Sequence, residues 1–138
     1  MRFMIIVKAT RKSEAGDMPE EKLFEEMAAY HEELAKAGAL VDASGLHPSS
    51  KGWRIRYSGG KRTVTDGPFA EAKELIAGYT IIRTNSRQEA MEWTRRFPNP
   101  AGEGVEAEIE VRQLFELEDF GPSAAIDRFR SLQDEKNS

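Results

Sequence analysis

Residues 75 to 84, Leu-Ile-Ala-Gly-Tyr-Thr-Ile-Ile-Arg-Thr, make a strand-length run that is apolar on both faces. Alternation sends Leu75, Ala77, Tyr79 and Ile81 one way and Ile76, Thr80 and Ile82 the other. A strand with one face in water would alternate cleanly between apolar and polar side chains, so this one is central and covered on both sides. Residues 2 to 9 repeat the pattern, with Phe3, Ile5 and Val7 on one face and Met4 and Ile6 on the other. Residues 105 to 115 break it. There Val105, Ala107, Ile109 and Val111 share a face, while Glu106, Glu108, Glu110 and Arg112 share the opposite one.

Between these strands the periodicity changes from 2 to 3.6. Asp17-Met18-Pro19-Glu20 reads as a helix start, with Asp17 as cap and Pro19 in the first turn. The helix runs to about Ala37, where Gly38 stops it, and its apolar stripe is Leu23, Met27, Tyr30/His31, Leu34 and Ala35. A short strand around 40–43 and an irregular connection over 45–51 follow. Residues 53 to 65 form a hairpin that turns at Ser58-Gly59-Gly60. Ser86-Arg87-Gln88-Glu89 predicts a capping box opening a second helix, which Pro98 and Pro100 end. The tail from Glu116 to Ser138 has one amphipathic stretch (Ile126, Phe129, Leu132) and a polar end expected to fray. This order predicts an α+β domain with two helices on one face of an antiparallel sheet. The simplest cover for the other face is a second copy, related by two-fold symmetry.

With 138 residues and 39% apolar content, the chain can bury one hydrophobic core. The absence of cysteine removes disulfides, thiolate nucleophiles and cysteine metal sites together, and suits a reducing compartment. The N-terminal apolar run is too short to span a bilayer and lacks a signal-peptide cleavage pattern, so a cytoplasmic location with no membrane partner is expected. A net charge of -4 argues against a nucleic-acid partner. The local exception is the hairpin, where Lys51, Arg54, Arg56, Lys61 and Arg62 gather. Alternation puts Trp53, Ile55 and Tyr57 on one of its faces and both arginines on the other, which describes a half-solvated hairpin or an anion-binding face.

Asp66-Gly67-Pro68-Phe69 reads on its own as a turn feeding a strand. Together with the following Ala70-Glu71-Ala72-Lys73-Glu74-Leu75-Ile76-Ala77-Gly78-Tyr79, it resembles the signature of the DGPF proteins, a branch of the YCII-related family. The resemblance takes in Gly45 to Gly52, Val64-Thr65-Asp66, Glu92-Trp93, Pro98-Asn99-Pro100 and Glu110 to Phe115. It covers roughly residues 1–120 and leaves 121–138 as a partly helical C-terminal tail. It implies a ferredoxin-like fold paired into a dimeric α/β barrel. It also implies a histidine on the first helix, matched here by His31, and a His-Asp pairing proposed as catalytic in some members. Asp66 is the first choice of carboxylate and Asp42 the second. DGPF proteins often occur near extracytoplasmic-function sigma factors, which implies an accessory or signalling role as the alternative to catalysis.

Each candidate has a structural and a chemical reading. His31, beside the core stripe, is a core histidine held by one hydrogen bond or a general acid–base poised near neutral pH. Asp66 before Gly-Pro is a turn residue or the group that orients His31. Glu110 and Arg112 are solvated edge residues or the lining of a polar chamber between two copies, where a guanidinium would take a carboxylate or phenolate. Trp53, Arg54 and Tyr79 complete the ligand-contact candidates. No cofactor is called for: there is no glycine-rich phosphate loop and no nucleophile elbow. No metal is expected either, because only His31 and His47 offer nitrogen donors and their spacing matches no metal motif. The reading is a homodimer with a pocket for an unidentified small polar aromatic or carbonyl compound, acting on it by His/Asp proton transfer or binding it without catalysis.

Overall fold

The computed structural model describes residues 1–137, and Ser138 lies outside the described residues. Four strands form the main sheet: β1 (Arg2–Lys8), β2 (Leu40–Gly45), β5 (Ile76–Arg83) and β6 (Ile109–Gln113), in the order β2-β5-β1-β6 with every pair antiparallel. Two helices, α2 (Glu21–Lys36) and α3 (Arg87–Arg95), connect β1 to β2 and β5 to β6. This is the ferredoxin-like βαββαβ arrangement. A hairpin of β3 (Trp53–Ser58) and β4 (Lys61–Asp66) is inserted between β2 and β5 and forms a two-stranded sheet of its own.

The doubly apolar strands β1 and β5 are the two central ones. Phe3, Ile5 and Ile82 enter the core with Tyr30 and Leu34 of α2 and Ala90 of α3. Register carries the same face outward: Ile5 opposes Thr80 and Val111, and Val7 opposes Ile109. On the other face Ile6 lies between Tyr79 and Glu110, and Met4 between Ile81 and Arg112. Among the described residues no helix covers that side to a comparable extent, and Met4, Ile6, Tyr79 and Ile81 remain half-exposed.

Several local expectations are corrected. Asp17 does not cap α2; the cap position is Glu20, with no side-chain cap bond. The preceding loop instead contains a one-turn helix, α1 (Arg11–Glu14), closed by a reciprocal Thr10–Ser13 capping box. At α3 the Ser86 hydroxyl accepts from the Glu89 amide as expected, but the Glu89 carboxylate reaches back to Asn85 rather than Ser86. The last strand is shorter than the alternation suggested. Residues 105–108 stay outside it because Gly102 and Gly104 take positive φ and Asn99 Nδ2 donates to the Val105 carbonyl, holding a turn. Glu106 and Glu108 therefore share no strand face with Glu110. The tail forms a longer helix than expected, α4 (Ala124–Asn137), after a 3-10 turn at Leu117–Phe120. Among the described residues, no helix is long and apolar enough to cross a membrane.

Candidate functional site

The signature Asp66-Gly67-Pro68-Phe69 lies where the hairpin returns to the sheet, and its neighbours explain its composition. A β-carbon at Gly67 would stand 1.8 Å from the Ser49 carbonyl oxygen, so only glycine fits that approach. The Gly67 amide donates to the Gly52 carbonyl at 3.0 Å. The Phe69 amide donates to Ser49 Oγ at 3.0 Å, and Ser49 in turn gives its hydroxyl proton to the Glu14 carboxylate. A second bond, from the Ser49 amide to Glu14 at 3.0 Å, ties α1 to the same point. Above this clasp the Arg54 guanidinium lies 3.8 Å from the centre of the Phe69 ring, within cation–π range.

The clasp forms one wall of an open cleft of about 390 Å³. Leu46, Phe69, Leu75 and Ile76 supply apolar surface, while His47, Lys51 and Arg54 bring basic groups to its rim. Glu14, the one carboxylate lining it among the described residues, is already engaged by Ser49. The arrangement suits a small ring compound with an anionic substituent: the ring against apolar walls, the charge toward Arg54 and Lys51.

His31 occupies a different layer. Its Nδ1 lies 2.7 Å from the Met27 carbonyl and its Nε2 lies 2.8 Å from Thr80 Oγ1. A carbonyl only accepts, so Nδ1 carries the proton; the neutral ring then accepts the Thr80 hydroxyl at Nε2. Tyr30 and Phe97 meet the ring edge-on. Tyr30 is itself buried, donates to the Trp93 carbonyl at 2.7 Å, and has its phenol pushed up to about 12 mainly by burial. Among the described residues no hydrogen bond joins His31 to Asp66. Asp66 stands exposed at the end of β4, opposite Trp53.

Tyr79, Glu110 and Arg112 lie on the uncovered face of the sheet, Tyr79 on β5 and the other two on β6, with β1 between them. Glu110 accepts from Arg112 at 3.3 Å and pairs with Lys8 at 3.3 Å, and the hydrogen bond from Arg112, followed by that from Lys8, holds its carboxyl below the usual range. The Tyr79 hydroxyl donates to Asp42 at 2.9 Å on the same face. The sequence candidates thus fall in four places: Arg54 in the cleft, Trp53 on the outer face of the hairpin, His31 between helix and sheet, and Tyr79, Glu110 and Arg112 beneath the sheet. Sequence reasoning missed Glu14 and Ser49. Neither carries a motif, because their link spans 35 residues and exists only once α1 and the 49–51 turn are in place. Among the described residues, no group of three His, Cys, Asp or Glu side chains is placed to hold a metal ion.

The YCII-related domain family matches residues 1–115, which includes the clasp, the cleft, the four strands of the main sheet and the hairpin. The chain belongs to the YCII-related family. An uncharacterised protein of Rhizobium meliloti (strain 1021) is 32% identical over 80 residues, covering 58% of this chain and 64% of that relative, so the match spans under two thirds of the relative's length. Among solved structures, 5-chloro-2-hydroxyhydroquinone dehydrochlorinase from Burkholderia phenoliruptrix AC1100, in complex with 2,5-dihydroxybenzoquinone, aligns over 84% of this chain and 95% of its own at 15% identity, with a TM-score of 0.43.

Proposed function

We propose that this YCII-related protein is a cytoplasmic homodimer that binds a small anionic aromatic compound in the cleft beside the clasp. The observation that carries the reading is the convergence of Arg54, Lys51 and His47 on a recess walled by Leu46, Phe69 and Leu75. Basic groups on an apolar recess favour a carboxylate or phenolate on a ring over a neutral metabolite. The second copy covers the free face of the sheet, where Met4, Ile6 and Ile81 are too apolar to be left in water over a whole face. In that assembly the Lys8–Glu110–Arg112 group and Tyr79 line the space between the subunits.

Binding without chemistry, in an accessory or regulatory role, is favoured over proton transfer because both nitrogens of His31 already have partners. One observation keeps the catalytic reading alive. The Met27 carbonyl selects the tautomer whose Nε2 can accept a proton, the form a general base requires. For that role a ligand must displace the Thr80 hydroxyl, and Asp66 must approach from the other copy. Titration with benzoate and 2,5-dihydroxybenzoate, followed by amide chemical shifts, tests the binding reading. Perturbations centred on residues 46–54 and 69–76, weakened at least tenfold in Arg54→Ala and retained in His31→Ala, support it. Millimolar ligand that moves no resonance in those segments overturns it. Loss of turnover in a folded His31→Ala protein would favour the catalytic reading instead.

A further inference from the structure

The hairpin and the C-terminal segment each present an apolar face that nothing among the described residues covers. On the hairpin, Trp53, Ile55 and Tyr57 share a face with Val64 through the β3–β4 register, and Trp53 and Tyr57 are 64% and 68% exposed. At the end of the family-matched residues, Phe115 packs on Phe120 with ring centres 4.9 Å apart, and both stay exposed. In α4, Phe129 and Leu132 stand three residues apart on one side and are 56% and 60% exposed.

Neither element is stable by itself. A lone two-stranded hairpin is marginal in water and needs a further layer such as a helix. An isolated helix shorter than about 12–15 residues is marginal too, and α4 has 14 residues packed mainly on the short 117–120 turn. Each therefore lacks what the other supplies, an apolar strand face for an apolar helix stripe. Charge favours the same match. Residues 53–66 hold four basic side chains against the single carboxylate Asp66, with Arg62 on the apolar face and Arg54, Arg56 and Lys61 on the other, whereas residues 115–137 hold six carboxylates, of which Glu116 is paired with Arg2, against Arg128, Arg130 and Lys136. Opposite net charges steer the two segments together.

We propose that the β3–β4 hairpin of one copy docks through Trp53, Ile55 and Tyr57 on the C-terminal segment, residues 115–137, of a second copy, with the exchange repeated reciprocally by two-fold symmetry. The arm-to-tail exchange is separate from sheet-to-sheet pairing and from ligand binding in the cleft. It gives the tail a job outside the family core: it clamps the partner's hairpin, whose root carries Arg54 and the cleft.

The test uses full-length protein carrying Tyr57→p-benzoylphenylalanine, mixed with ¹⁵N-labelled wild-type chain, irradiated, digested and read by mass spectrometry. The expected product joins residue 57 to a labelled peptide from 115–137. A product joining residue 57 to its own chain's tail overturns the exchange in favour of a fold-back. A product with any other segment of the partner, or no crosslink, also overturns it; dimers seen in that case belong to sheet pairing alone. The double variant Phe129→Ser/Leu132→Ser supplies the second measurement. Its substitutions lie outside the core, so the amide spectrum of residues 1–115 is retained while sedimentation velocity reads at least a tenfold weaker self-association. An unchanged association constant overturns the proposal.

Discussion

The layer between α2, α3 and the sheet and the pair formed by hairpin and tail make opposite use of apolar side chains. In the first, Ile5, Leu34 and Ile82 are fully buried, and among the described residues no buried side-chain nitrogen or oxygen lacks a partner. In the second, Trp53, Tyr57, Phe115 and Leu132 face outward. The first layer is closed within one chain and sets its stability. The second is open and depends on what it meets. The clasp at Gly67 and Ser49 is the joint between them, since it fastens the root of the hairpin to α1 and the 49–51 turn.

Substitutions break this contrast in order of expected size. Leu34→Ala removes a fully buried side chain and is expected to cost about 2–5 kcal/mol, whereas Tyr57→Ala measured at monomer-forming dilution stays within about 0.5 kcal/mol. Urea denaturation of both variants checks the difference, and equal losses would end the distinction between a closed and an open region. Alkaline pH probes the closed layer next. Because the folded Tyr30 phenol is raised to about 12 from its usual 10, its contribution is fully present below pH 10 and lost as pH rises toward 12. The loss is on the order of 2 kcal/mol. Tyr30→Phe flattens that limb of the stability profile, and a limb that survives the substitution assigns it to other groups.

The joint comes third. Gly67→Ala forces a β-carbon onto the Ser49 carbonyl and is expected to cost about 1–3 kcal/mol while loosening the 49–51 turn. Amide exchange at Phe69 reads that loosening directly; protection equal to wild type would mean that the clasp is dispensable. The smallest effect lies on the uncovered sheet face. Glu110 titrates below an ordinary glutamate, so its contribution is present above the usual carboxylate range and fades as pH falls through the lowered value. Carbon-detected titration should find this value moving up in Arg112→Ala and, by less, in Lys8→Ala. A Glu110 that ignores both substitutions would show that the ion group is not formed.

The main body was legible because its signals are local. The two-faced strands became β1 and β5, the glycines at 59 and 60 turn the hairpin with positive φ, and Ser86 caps α3. Where local signals misled, a neighbour had intervened. The alternation over 105–108 is genuine in the sequence, yet the turn held by Asn99 keeps those residues out of the sheet. Asp17 has cap chemistry, but the Thr10–Ser13 box had already turned the chain into α1, and Asp17 lies three residues past the end of that helix with its amide donating to the Lys12 carbonyl. His31 could be placed on a core-facing stripe from its spacing; that Thr80 would meet its Nε2 could not, because the two are 49 residues apart.

Periodicity and capping chemistry act over a few residues, so the amino-acid sequence by itself determined the element order, the central strands and the α+β class. Which side chains meet depends on contacts between distant segments, and these form only when the sheet has closed. The Glu14–Ser49–Phe69 clasp, the cleft beside it, the pairing of His31 with Thr80 and the uncovered faces of hairpin and tail were therefore decided by the tertiary structure.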